Sequence, residues 1–348
     1  MREAQAASAP PRREGEVYAA LDLGTNNCRL LVATPRGRSF RIVDSYSRIV
    51  RLGEGLAQSG RLGEPAMIRA VAALGVCADK ISRRGASHVR AVATQACRSA
   101  ANGAEFLAEV EARTGLRLSV ITPAEEASLS VAGCLNLLDR TAEAALILDV
   151  GGGSTELSWL DLRGGLELDP GRQRYWRPPV TAWLSAPVGV VTLAERFPTA
   201  VDPELSGFRA MIEAFKSEIA GFRGADTLTP VFEAGRSHLV GTSGAITSLA
   251  GLHLQLAKYD RSKVDGLWLT RADCQTVAHR LAGLTIAERA AEPCIGPDRA
   301  DLVLAGAAIL EAVQELWPCE RVRVADRGLR EGLLLSLMAD QRKREVRG

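Results

Sequence analysis

The sequence lacks most of the signatures that would settle its class at a glance. No apolar run reaches membrane-spanning length. The opening stretch, MREAQAASAPPRREGE, has no apolar core, so it reads as a disordered tail rather than a secretory signal. Seven cysteines are present, at 28, 77, 97, 134, 274, 294 and 319. No two stand at C-x-x-C spacing and their number is odd, which argues against a zinc site or a disulfide framework. Small buried thiols in a cytoplasmic protein are the expectation. The formal net charge is only +2. A general nucleic-acid binder would carry a stronger basic bias, so any anion site must be a local concentration of donors. The four histidines show no metal spacing, and there is no G-x-S-x-G elbow. No glycine turn is followed by GKS or GKT, which excludes a P-loop.

What remains is ordinary in bulk and informative in pattern. The 348 residues suffice for two ordinary domains, and 47% hydrophobic with 24% charged residues suits a soluble globular chain. Short apolar runs predict strands at 17–23, 28–33 and 40–52, then at 88–94 and 118–121. Helical spacing predicts helices at 65–83, 104–114 and 123–138, the last with Glu125 and Glu126 in its first turn. The pattern then restarts with strands at 145–150 and 156–162. The stretch 164–179, rich in Gly, Pro and Arg, reads as a solvated loop. Helices at 203–223, 245–256, 271–281 and 299–316 alternate with strands at 238–240 and 321–324. A last helix is predicted over 329–341, followed by basic residues. This alternation argues for an α/β fold with helices covering sheets.

An internal repeat sharpens the reading. ALDLGTNNCRLL (20–31) lies over ILDVGGGSTELS (147–158), so that Asp22 falls on Asp149, Gly24 on Gly151 and Asn27 on Ser154. The spacing, 127 residues, is about one domain. Each copy reads strand, aspartate, glycine turn, strand. Such a turn presents successive backbone N–H groups to anionic oxygens, and glycine lets backbone and ligand approach closely. A plain hairpin explains either turn alone, since Asn and Gly favour hairpins. Two such turns, each behind a strand-end aspartate, point to phosphate binding in a shared cleft. Asp149 and Glu156 flank the second turn. Two carboxylates about 4 Å apart repel by roughly 4 kcal/mol at an effective dielectric of 20. A bound cation relieves this, and hard oxygen ligands beside phosphate favour Mg²⁺. Read from the residues alone, Glu125 and Glu126 complement a helix dipole.

In this order the motifs DLGTNNCR (22–29), ATQACR (93–98), PAEEA (123–127) and DVGGGSTE (149–156) resemble the exopolyphosphatase / guanosine pentaphosphate phosphatase family. GTSGAITSLA (241–250), RADLVLAG (299–306) and DRGLREG (326–332) extend the resemblance over about 16–340. It implies two ribonuclease H-like domains of the actin-like ATPase superfold around a central cleft. The division it suggests is a tail at 1–15, an N-terminal domain at 16–124, a C-terminal domain at 125–326, a helix at 327–341 packing back on the first domain, and a basic tail at 342–348. It implies that Glu126 activates water, that Glu156 is the second catalytic carboxylate, and that Asp149 and Glu156 hold Mg²⁺. Gly24, Thr25, Asn26, Asn27, Arg98, Gly151, Gly152, Gly153, Ser154 and Thr155 would bind phosphate. The implied substrate is inorganic polyphosphate, or else guanosine pentaphosphate. A homodimer is expected, with neither nucleic acid nor membrane as partner. The chain is similar to the short family members that lack a helical C-terminal domain. Ser128 and Thr192 stand where arginine is frequent, which implies a weaker hold on a long polyanion, and GTSGA replaces a more usual glycine-glycine-threonine loop. The readings of other kinds are a kinase of the same fold that passes phosphate to an organic acceptor, and a non-catalytic sensor of phosphate or (p)ppGpp.

Overall fold

The computed structural model describes residues 15–37, 39–165, 178–197 and 205–347, with side chains to 341. The expected N-terminal tail, except its last residue, and most of the 164–179 loop lie outside these residues. Alternation along β1 (Tyr18–Leu23) sets the first domain: Ala19, Leu21 and Leu23 face one core, and Tyr18 and Ala20 the other. β1 pairs antiparallel with β2 (Asn27–Arg36), which pairs with β3 (Ser39–Ile49). On its other side β1 runs parallel to β4 (His88–Ala93), and β4 to the short β5 (Ser119–Val120). Helices α1 (Glu64–Arg83), α2 (Gln95–Ser99) and α3 (Gly103–Thr114) follow between strands. Leu74 of α1 and Phe106 of α3 pack against one sheet face.

After α4 (Pro123–Cys134) the plan repeats. β6 (Ala144–Val150), β7 (Thr155–Asp161) and β8 (Val180–Ala186) form the antiparallel meander. β9 (Ser237–Thr242) and β11 (Arg321–Ala325) extend it in parallel, with β10 (Trp268–Thr270) antiparallel at the edge. Helices α5 (Val190–Arg196), α6 (Ser206–Ile219), α7 (Gly244–His253), α8 (Arg271–Ala282) and α9 (Val303–Leu316) belong to this half. Each sheet is therefore a three-strand meander continued by parallel strands, the ribonuclease H-like plan.

The sequence pattern missed α2, β8, α5 and β10. β8 is an edge strand with little burial and two hydroxyl side chains, so its alternation is faint, and β10 is three residues long. The last helix, α10 (Leu329–Arg347), runs past the predicted end at 341, since Arg342–Arg347 contains no Gly or Pro to stop it.

Two helices tie the halves together. α4 contributes Leu129 to the core under the first sheet and Val131 and Cys134 to a core under the second. α10 returns from β11 to cover the first sheet with Leu333, Leu334 and Met338. The two cross at glycines. A Cβ at Gly133 would stand 2.0 Å from the Gly328 carbonyl, and one at Gly332 would stand 2.0 Å from the Leu129 carbonyl. Only glycine allows this approach, and it fixes the second half of α4 against the start of α10.

Candidate active site

Both glycine turns close in the same way. Gly24 N–H donates to the Asn27 carbonyl at 2.8 Å, and Gly151 N–H to the Ser154 carbonyl at 2.9 Å. The turns face each other across the domain interface: a Cβ at Gly152 would stand 3.0 Å from the Asn26 nitrogen. The start of α5 caps the second turn, Val190 and Val191 donating to the carbonyls of Gly151 and Gly152. A cleft of about 360 Å³ opens between the turns, lined by Gly24, Thr25, Asn26, Asn27, Gly151, Gly152, Gly153 and Ser154. Thr155 is not brought to it. Strand alternation turns its hydroxyl to the Val188 carbonyl, at 2.7 Å, because Glu156 takes the cleft face.

Four carboxylates converge here: Asp22, Glu126, Asp149 and Glu156. Thr122 caps α4 by accepting from Glu125 N–H at 3.2 Å, which starts the helix where Glu126 faces inward. Glu126 is 8% exposed and accepts from Arg98 Nη1 at 3.2 Å; the same nitrogen donates to the Ile121 carbonyl at 2.8 Å. Glu125 points elsewhere and pairs with Arg90. Glu156 is 2% exposed and accepts from Ser185 Oγ at 2.8 Å. Asp149 accepts from Ser130 and is the cross-strand partner of Glu156. Asp22 Oδ1 is buried with no hydrogen-bond partner.

Burial without enough positive charge raises all four. Burial pushes Asp22 up to about 6, against the pull of Arg29 and Arg330. Burial and then the charge of Glu156 push Glu126 well above the usual carboxylate range, with Arg98 opposing. Burial and Asp149 raise Glu156; burial raises Asp149 against the Ser130 hydrogen bond.

The residues fit a hard divalent cation. Asp149 and Glu156 stand side by side as oxygen donors, and the unpartnered Asp22 oxygen opens on the same cleft. The described residues hold no group of three or more metal-type side chains. Mg²⁺ needs none, because one or two carboxylates completed by phosphate and water suffice.

Sequence reasoning assigned no role to the cleft arginines. Arg29, Arg261, Arg299, Arg327 and Arg330 all line it. Arg261 is held by Glu331 and Asp326, and Arg327 by Asp265. Arg29 and Arg299 converge on the start of α7, each with an atom 3.8 Å from where a Gly244 Cβ would stand. Neither they nor Arg330 form an ion pair among the described residues. Ser128 is exposed and does not line the cleft, and the Thr192 hydroxyl caps its own helix by accepting from Gly189 N–H at 2.8 Å. The cleft thus carries ample positive charge without arginines at those two positions.

Paired ribonuclease H-like domains around a carboxylate-floored, arginine-walled cleft define a phosphoryl-transfer enzyme of the actin-like ATPase class. The chain belongs to the Ppx/GppA phosphatase family, whose pattern matches residues 31–341. It is 32% identical over 333 residues to exopolyphosphatase 2 of Mycobacterium tuberculosis, covering 92% of this chain and 98% of that one. The guanosine-5'-triphosphate,3'-diphosphate pyrophosphatase of Vibrio vulnificus is 30% identical, with 95% of this chain and 61% of the Vibrio protein aligned. Among solved structures, the Aquifex aeolicus PPX-GPPA enzyme matches with a TM-score of 0.71 at 28% identity, over 92% of this chain and 99% of that one.

Proposed function

We propose that the protein is an exopolyphosphatase-type hydrolase that releases the terminal phosphate of inorganic polyphosphate, with Mg²⁺ held by Asp149 and Glu156. The observation that carries this reading is the division of the cleft: buried carboxylates at its floor and five arginines along its walls. A linear polyanion suits such walls, since guanidinium forks bind phosphate oxygens in pairs. The terminal phosphate rests on the N–H groups of the two glycine turns. Glu126 accepts a proton from a water whose oxygen bonds to the terminal phosphorus. The bridging P–O bond breaks and its oxygen stays on the shortened chain. Orthophosphate and a chain one unit shorter result, and Glu126 later gives up the proton. When bound, Mg²⁺ supplies positive charge that offsets the carboxylates and the charge on the transferred phosphoryl group. Arg98 orients Glu126, and Ser185 orients Glu156. The seven cysteines are buried and form no disulfide; we place the enzyme in the cytoplasm, where thiols stay reduced.

Phosphate release from long-chain polyphosphate, guanosine pentaphosphate and ATP, with and without Mg²⁺, tests the reading. Mg²⁺-dependent release, fastest from polyphosphate and lost in Glu126→Gln, is the expected result. Preference for guanosine pentaphosphate would reassign the substrate. Tight binding without release from any of them would make the protein a sensor.

A further inference from the structure

The likeness of the two halves extends one strand beyond the glycine turns. In the second half, register sets Asp149, Glu156 and Ser185 in one row across β6, β7 and β8. In the first half it sets Asp22, Arg29 and Ser47 in the matching row across β1, β2 and β3. Residues opposite one another across strands share a face of the sheet. The third member of the second row acts on its neighbour: Ser185 Oγ donates to Glu156 at 2.8 Å. Ser47 stands in the same place beside Arg29, but a guanidinium accepts no hydrogen bond. Among the described residues the Ser47 hydroxyl makes no hydrogen bond, and neither does that of Ser45.

These two serines mark the mouth of the cleft. Ser45 and Ser47 line the same cavity as Asp22, Arg29 and Glu126, and of all its lining residues they alone are exposed. Neighbouring strands stand about 4.8 Å apart, so Ser47 lies roughly 10 Å from Asp22. Asp44, the one acid on β3, turns to the opposite face, where Lys80 and Arg84 hold it. A polyphosphate whose terminal unit rests on the glycine turns must send its other units outward, and the row Asp22, Arg29, Ser47 leads from the floor to the solvent. We propose that Ser47, with Ser45 beside it, forms an outer phosphate subsite, where hydroxyl donors hold the units of a long chain that lie beyond Arg29. This rests on the hydrolase reading above. No bond is made or broken at this subsite; it favours the binding of long chains over short ones.

Charge placed at position 47 tests this in both directions. KM and kcat are measured with Mg²⁺, at fixed ionic strength, on long-chain polyphosphate and on tripolyphosphate. Ser47→Asp should raise the long-chain KM at least about fivefold by repulsion. Ser47→Arg should lower it about threefold or more, since guanidinium binds phosphate well. The control is Arg48→Ser, on the same strand and also exposed but next in the alternation, so that its side chain leaves the opposite face. It removes the same unit of charge as Ser47→Asp adds in negative sign, and should move the long-chain KM by less than about twofold, because an exposed charge away from the cleft is screened. Tripolyphosphate, with two units behind the one cut, should respond to none of the three by more than about twofold, because beyond the mouth it has no unit to hold. An unchanged long-chain KM in both Ser47 variants overturns the proposal. So does an equal shift in Arg48→Ser, which would be a general charge effect, or an equal shift on tripolyphosphate, which would place the effect at the floor. A binding titration of long-chain polyphosphate on Glu126→Gln needs no turnover. There affinity should rise with Ser47→Arg and fall with Ser47→Asp; the same Kd in both overturns the proposal. A wild type that releases no phosphate from any chain removes the hydrolase reading instead, and the titration then decides the subsite alone.

Discussion

The two halves share a turn plan and part at the strand position that faces its aspartate. In the first, Asp22 pairs across the hairpin with Arg29. In the second, Asp149 pairs across the same hairpin position with Glu156. A plus–minus pair in one half faces a minus–minus pair in the other. The first sets a guanidinium beside the buried carboxylate and directs it to the cleft. The second costs free energy, which the Mg²⁺ proposed above would offset. The repeated turn is the common frame, and the residue facing its aspartate, Arg29 in one half and Glu156 in the other, distinguishes the two.

Removing the chemistry on the carboxylate side should have the largest effect. Glu126→Gln should lower kcat by about 10²–10⁴-fold, the range for a positioned general base, with KM little changed. Steady-state phosphate release measures both. Next is the opposite half: Arg29→Ala should raise KM by about tenfold or more while sparing kcat, given roughly 1.5–3 kcal/mol for a charge-assisted hydrogen bond.

A stability effect should follow from Asp22. Its folded pKa, about 6, exceeds the ordinary 3.8, so the folded protein binds more protons than the unfolded chain between these values. Stability of the metal-free protein should therefore be highest below about pH 4 for this group and fall as pH rises through 6. Asp22→Asn should remove that pH dependence and stabilise the metal-free protein at pH 7 by about 1–3 kcal/mol, read by denaturant titration across pH. The smallest effect should come from the ion pair between the halves, Arg51 with Asp301 at 2.8 Å, both about one-third exposed. Arg51→Ala should cost under about 1 kcal/mol and shift the melting temperature by a degree or two.

Much of this was legible in the chain. The repeat gave both turns and their aspartates, because a strand followed by a glycine turn is a local pattern. Arg29 was within reach too: once the Gly24–Asn27 hairpin is drawn, its register places Arg29 opposite Asp22. Arg330 was not. Its place in the cleft depends on α10 returning from the far end of the chain and crossing α4 at Gly133 and Gly332, a tertiary contact with no local signature. Thr155 shows the opposite error. It sits inside a phosphate-like string, yet strand alternation sends its side chain away.

The most direct test of the division between halves is a paired kinetic measurement on one polyphosphate preparation at fixed Mg²⁺, with Glu156→Gln beside Arg29→Ala. The account predicts that Glu156→Gln lowers kcat by at least a hundredfold, with KM nearly unchanged, and that Arg29→Ala raises KM with kcat nearly unchanged. If both variants moved the same parameter by the same factor, the halves would not divide the work, and the central claim would be wrong.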